Sequence, residues 1–208
     1  MTQIYPLFSS PVYHVDDIGY RPSDELIATL ESLPSSKSWS HSGLTKDERI
    51  LDREDMQELK GICQHYLSDY IKTVCGYKEN FIITNSWLSR NPKFQGHNQH
   101  NHANSIFSGC LYLKANKDTA PIQFRSKNRL SKDFNFAYEI ETSNVFNASE
   151  WTVPVSTGSL VIFPSYLHHG SLPNLDDTTR ICLGFNSFVQ DRFGGINYSS
   201  DVDLSSVK

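Results

Sequence analysis

The 208-residue chain has no Cys-x-x-Cys pair, no excess of basic residues and no apolar run approaching the length of a membrane span. Each absence removes a class of function. The four cysteines, Cys63, Cys75, Cys110 and Cys182, are widely separated, so neither a zinc knuckle nor a disulfide framework is indicated. They read as reduced, mostly buried thiols. With 19 Lys and Arg against 23 Asp and Glu the formal charge is −4, which supplies no field for counting on phosphate contacts and disfavours nucleic acid as a partner. The opening Met1-Thr2-Gln3-Ile4-Tyr5-Pro6 lacks the charged-then-apolar pattern of a secretory signal, so the expected compartment is the cytosol and no membrane partner is expected. There is no internal repeat and no βαβ alternation.

What is present is the balance of a folded protein: 38% hydrophobic and 20% charged residues, with 12 Phe and 10 Tyr. The length fits one domain, 1–208. Residues 4–15 alternate loosely around Pro6 and Pro11 and suggest an edge strand. Behind a Ser23-Asp24 cap, Leu26, Ile27, Leu30 and Leu33 fall at helical spacing until Pro34. After a Ser-rich stretch at 35–43, Met56, Leu59, Ile62, Cys63, Tyr66, Leu67, Tyr70, Ile71 and Val74 repeat at three- and four-residue steps and predict the main amphipathic helix, ended by Gly76. The period then changes to two, with strand-like runs at 81–88, 105–114, 120–124, 151–155, 159–163 and 180–189. The chain therefore reads as α+β, mainly β: supporting helices over about 22–76, then a sandwich or small barrel over about 80–190. The polar stretch 127–149 has the character of a lid or surface loop.

Five of the eight histidines lie in two short segments, Gly96-His97-Asn98-Gln99-His100-Asn101-His102 and Tyr166-Leu167-His168-His169-Gly170. On a strand, residues i and i+2 share a face, so His100 and His102 can present two imidazoles on one side. An apolar strand that stops at Pro164 delivers two more histidines just beyond it. The next strand opens with Thr179-Arg180-Ile181-Cys182-Leu183-Gly184-Phe185-Asn186 and turns Arg180 to the side of Cys182, Gly184 and Asn186. An inward guanidinium requires an anion, and its planar fork matches a carboxylate. That anion can be a protein carboxylate or a ligand's.

The order of these motifs (His-x-His, then Ser108-Gly109-Cys110-Leu111-Tyr112, then Gly-x-Leu-x-x-Phe-Pro-Ser, a distal His before Pro-Asn, then Arg-Ile and Phe-Asn) resembles a family of 2-oxoglutarate- and iron(II)-dependent oxygenases found in bacteria and their phages. The likeness spans roughly 87–188 and implies a double-stranded β-helix, or jelly roll, of prolyl-hydroxylase type. It also implies roles. The metal pair falls on His100 and His102, the distal ligand on His169 rather than His168, the 2-oxoglutarate anchor on Arg180, and a second co-substrate contact on Tyr112. Iron(II), 2-oxoglutarate, molecular oxygen and an unidentified primary substrate are the implied cofactor and partners. Oxidative decarboxylation would give succinate and carbon dioxide, with hydroxylation as the usual result.

The sequence departs from the commoner pattern in one place. His102 stands where most such enzymes carry Asp or Glu, and three imidazoles also suit zinc. One true His-x-Asp exists, His14-Val15-Asp16, but it precedes the helices and has no matched partner. Two rival readings stand beside the oxygenase. A cupin-like metal enzyme or binding module without 2-oxoglutarate fits Gly158, Pro164, His169 and Asn174, although Tyr166 replaces the glycine of that pattern and no Glu follows His102 at the distance the pattern expects. A jelly-roll carbohydrate-binding or phage structural module would use Trp87, Tyr138, Phe146 and Trp151 as platforms.

Overall fold

The computed structural model describes residues 2–36, 43–117, 121–126, 139–194 and 201–205. Helix α1 (Asp24–Ser32) starts where the Ser23 side chain accepts the Leu26 N–H, and Asp24 and Glu25 occupy its positive first turn. Its far end is held by the buried Arg90, whose guanidinium donates to the carbonyls of Leu30, Glu31 and Leu33. A cation among the orphan carbonyls of a helix C-terminus satisfies both partners. Two 3₁₀ turns (Ile50–Asp52 and Glu54–Met56) lead into α2 (Gln57–Asp69), which widens into a π-helical turn (Tyr70–Cys75). Gly76, at φ 70°, closes it in the left-handed conformation that costs glycine little.

The β part forms two antiparallel sheets. One has five strands in the order β1 (Tyr13–Val15), β7 (Leu160–Pro164), β4 (Phe107–Lys114), β9 (Arg180–Val189), β2 (Phe81–Asn91). The other has four: β3 (His97–His100), β8 (His168–Ser171), β5 (Ile122–Arg125), β6 (Glu150–Val153). A small ribbon pairs β10 (Arg192–Phe193) with β11 (Val202–Asp203). This is the mainly β architecture with supporting helices that the sequence predicts.

Strand alternation explains where the site lies. Leu111, Leu113, Leu160, Ile162, Ile181, Leu183 and Phe185 turn outward from the large sheet and bury against Leu30, Leu59, Cys63, Leu67 and Tyr70 of the helices. Their neighbours Tyr112, Val161, Phe163 and Cys182 turn inward and meet Ile122, Phe124 and Val153 of the small sheet. The helices seal one face, so polar side chains at the remaining inward positions face the space between the sheets.

Several elements differ from expectation. The N-terminal strand is only Tyr13–Val15, because Pro6 and Pro11 fall before it and exposed residues 2–10 have no sheet to join. Strands β3 and β8 are not among the β-rich runs of the sequence, since His-Asn-Gln-His and His-His-Gly-Ser carry no such pattern; the strand expected through His100 and His102 is observed to end at His100. Of the expected loop 127–149, residues 127–138 and with them Tyr138 lie outside the described residues. Residues 139–146 are exposed and 147–149 half-buried, with a turn at 145–147.

Candidate functional site

The metal-type cluster grows from the β3–β8 pairing. His100 lies directly opposite His169, with ring centroids 4.5 Å apart. Each ring is oriented by its own backbone: Nδ1–H of His100 donates to Asn98 O (2.8 Å) and that of His169 to Leu167 O (3.0 Å). A bonded Nδ1–H leaves Nε2 as the free lone pair, the usual arrangement around a metal ligand.

His102 joins them from outside the strand. β3 ends at His100, and the chain then turns so that the His102 N–H donates to Ser165 O. The shared-strand face expected for His100 and His102 is thus replaced by a strand residue and a loop residue, which still converge. The His102 ring lies parallel to that of His169 (7°, 5.0 Å), and their Nε2 atoms are 3.2 Å apart. One donor atom from each of His100, His102 and His169 lies within 4.8 Å of the others. Two nitrogens about 2.1 Å from one ion and at a right angle would be separated by about 3 Å, the spacing of the His102–His169 pair, so these donors suit a divalent metal.

Burial keeps these imidazoles neutral. It is the first cause holding His169 down to about 2 and His102 to about 3, and it lowers His100 as well. Neutral imidazole is the coordinating form. His102 is further fixed by Trp87, stacked on it at 5.4 Å and 27°. Trp87 reaches that position because β9 carries Gly184 opposite it. A Cβ there would come within 2.7 Å of the indole.

The pocket beside the cluster is lined by Trp87, His97, Tyr112, Ser171, Arg180 and Cys182, among others. Arg180 is 3% exposed, and its Nη2 donates to Asn91 Oδ1 (2.7 Å) and Ser171 Oγ (2.5 Å). Tyr112 is buried on the same wall, and desolvation pushes its phenol up, so it stays a neutral donor. His168 faces the other way, into a wide groove with Asn101, Phe124, Phe146, Trp151 and Tyr166. His14 stands apart, on β1, with Nδ1 3.5 Å from Asp16. Sequence reasoning gave no role to Asn91, Ser171 and His97, and named Trp87 only as a platform of the rival carbohydrate-binding or phage structural reading. Of the first three, His97 alone carried a visible signal, as a member of the histidine cluster.

Residues 85–186 match a family described as "Putative 2OG-Fe(II) oxygenase". No curated protein sequence matches the chain. Among solved structures the chain is similar to HygX from Streptomyces hygroscopicus with nickel, 2-oxoglutarate and hygromycin B bound (13% identity, TM-score 0.58, covering 86% of this chain and 82% of that one). It is also similar to a Pseudomonas putida prolyl-4-hydroxylase (15% identity, TM-score 0.56, 86% and 92%). A third is an oxidoreductase of the 2OG-Fe(II) oxygenase family from Burkholderia pseudomallei (11% identity, TM-score 0.53, 78% and 75%). At these identities the structural likeness establishes the fold, a double-stranded β-helix.

Proposed function

The chain belongs, through residues 85–186, to the 2OG-Fe(II) oxygenases, which depend on non-haem iron(II) and 2-oxoglutarate, and from that premise we propose that His100, His102 and His169 hold the iron while Arg180 and Tyr112 hold the co-substrate. The observation that carries this assignment is the convergence of three neutral imidazole nitrogens beside a buried guanidinium. With 2-oxoglutarate and molecular oxygen, the metal supplies an oxidative decarboxylation to succinate and carbon dioxide that is coupled to hydroxylation of a second substrate. The three histidines contribute no negative charge, so the centre keeps more positive charge toward an incoming dianion than a two-histidine, one-carboxylate site would.

The protein's own part is binding and orientation. Asn91 and Ser171 already hold the Arg180 guanidinium through Nη2, so a distal carboxylate meets a cation whose position is set. Tyr112 offers a phenol from the same wall. Trp87, Ile122 and Phe163 keep the metal side of the pocket apolar and limit water. The groove on the His168 side, of about 930 Å³, is the proposed entry for the primary substrate. Its walls mix the aromatic rings of Phe124, Phe146, Trp151 and Tyr166 with serines and Asn101, and its Arg125–Glu150 pair (2.9 Å) is internally neutralised, which suits an uncharged group with a ring or apolar part better than a polyanion.

The whole of 1–208 is proposed as one oxygenase domain. Among the described residues no helix is long and apolar enough to cross a membrane. The four cysteines are free thiols, which fits a reducing compartment, the cytosol of a bacterium or a phage-infected host.

The test is Arg180→Ala. Removing one partner of a desolvated charge pair costs about 2 to 5 kcal/mol, so 2-oxoglutarate affinity should fall by roughly 30-fold to several thousand-fold at nearly unchanged metal content. Calorimetry showing equal binding in variant and parent would overturn the co-substrate assignment.

A further inference from the structure

The fourth histidine of the cluster, His97, is not among the three whose donor atoms converge, yet it lines the same pocket. Its orientation needs an explanation. His97 and His100 are three residues apart, an odd spacing that puts side chains on opposite faces of a regular strand. The pairing with β8 shows how both come to face inward: His100 lies opposite His169 and His97 opposite Ser171, so three steps on β3 match two on β8. An inserted residue of this kind is a β-bulge, a device that re-aims a side chain beside a site. The close approach of the two strands also depends on Gly170, where a Cβ would lie 2.6 Å from His97 O.

One ring contact and one backbone contact place the residue. On one side its centroid is 4.6 Å from that of His100, edge to face. On the other, Ser171 Oγ accepts both the His97 backbone N–H (2.8 Å) and Nη2 of Arg180 (2.5 Å), and the imidazole is within electrostatic reach of that guanidinium. The residue thus adjoins the prospective metal on one flank and the carboxylate anchor on the other.

We propose that His97 is a co-substrate-binding residue, whose imidazole donates a hydrogen bond to the distal carboxylate that Arg180 grips. The assignment rests on Arg180 serving 2-oxoglutarate as proposed above. It makes recognition of the dicarboxylate a joint property of β9 and the bulged strand β3.

The experiment uses the full chain loaded with cobalt(II) in place of iron. Metal content, thermal midpoint and 2-oxoglutarate affinity by calorimetry are measured for the parent, His97→Leu and His97→Gln, together with the affinity for 2-oxobutanoate, which lacks the distal carboxylate. Losing a hydrogen bond to a charged group should weaken 2-oxoglutarate binding in His97→Leu by about 10- to 100-fold at parental cobalt content. Glutamine, which keeps a donor, should recover most of that loss, and 2-oxobutanoate should bind the parent and His97→Leu alike.

Loss of cobalt from both variants would make His97 a metal ligand and overturn the proposal. So would unchanged 2-oxoglutarate affinity in His97→Leu, or an equal penalty on 2-oxobutanoate, which would mean that the residue acts by packing or at the chelating end. If leucine destabilises the fold, glutamine decides on its own: parental affinity supports the donor role, and a loss as large as that of Arg180→Ala refutes it. A parent that binds cobalt but not 2-oxoglutarate would fail the underlying co-substrate reading, and His97's role with it.

Discussion

At the scale of single residues, the site depends on which imidazoles face the cluster. His169 is 4% exposed, stacked on His102 and in tilted contact with Phe163, whereas its neighbour His168 lines the outer groove. Adjacent residues of a strand point to opposite faces, so only one can reach the metal. His169→Ala should therefore abolish stoichiometric iron binding, and His168→Ala should retain most of it. The same metal analysis tests the third ligand. His102→Asp should hold measurable iron, because a carboxylate restores the commoner donor set. His102→Leu keeps similar bulk without a donor atom and should lose much of it. Near-parental iron in His102→Leu would reduce the centre to His100 and His169.

At the scale of elements, the short strand β1 is tied to the end of the helical layer by two tyrosines. Tyr13 donates its hydroxyl to Asp69 Oδ2 (2.7 Å), and Tyr70 donates to Pro11 O (3.0 Å). The hydrogen bond to Asp69, with burial second, raises the Tyr13 phenol to about 12 from an ordinary value of 10.0. A folded-state pKa above the unfolded one contributes stability that is complete below pH 10 and disappears as pH rises through 12. The urea midpoint of the parent should accordingly fall over that window, and Tyr13→Phe should show a flatter alkaline limb.

Elements also differ in how legible they were in the sequence. The cap at Ser23, the 3.6-residue period from Met56 to Val74 and the alternation in β4, β7 and β9 are local signals, and each corresponds to an observed element. The strands that carry His97, His100 and His169 had no such signal, because polar histidines at the mouth of a sheet are selected for what they bind and not for strand propensity. The bulge between His97 and His100 is a property of pairing with β8, so no reading of β3 alone could find it. His102 was grouped with His100 by spacing, yet it arrives by a loop.

At the scale of the whole molecule, the site is divided between the two sheets. His97, His100, His169 and Ser171 come from the small sheet, and Trp87, Tyr112 and Arg180 from the large one. A metal and co-substrate bound between them bridge the layers, so loading should stabilise the fold as a unit. At 100 times the dissociation constant, linkage contributes about 2.7 kcal/mol, which for a chain of this size should raise the thermal midpoint by roughly 5 to 10 °C. The rise should scale with the logarithm of 2-oxoglutarate concentration in the metal-loaded parent and shrink in Arg180→Ala; scanning calorimetry at several concentrations measures both.

The stacking of Trp87 on His102 gives the molecule an optical property. If His102 binds the metal as proposed, the emission of the indole stacked on it would be altered by whatever occupies the centre, and a paramagnetic ion would quench it most. The other two tryptophans of the chain are Trp39 and Trp151, the latter half-exposed on β6 outside the pocket that Trp87 lines, so replacing both with phenylalanine leaves Trp87 as the single source of indole emission. The protein then reports its own loading by fluorescence, without a dye and before any primary substrate has been identified.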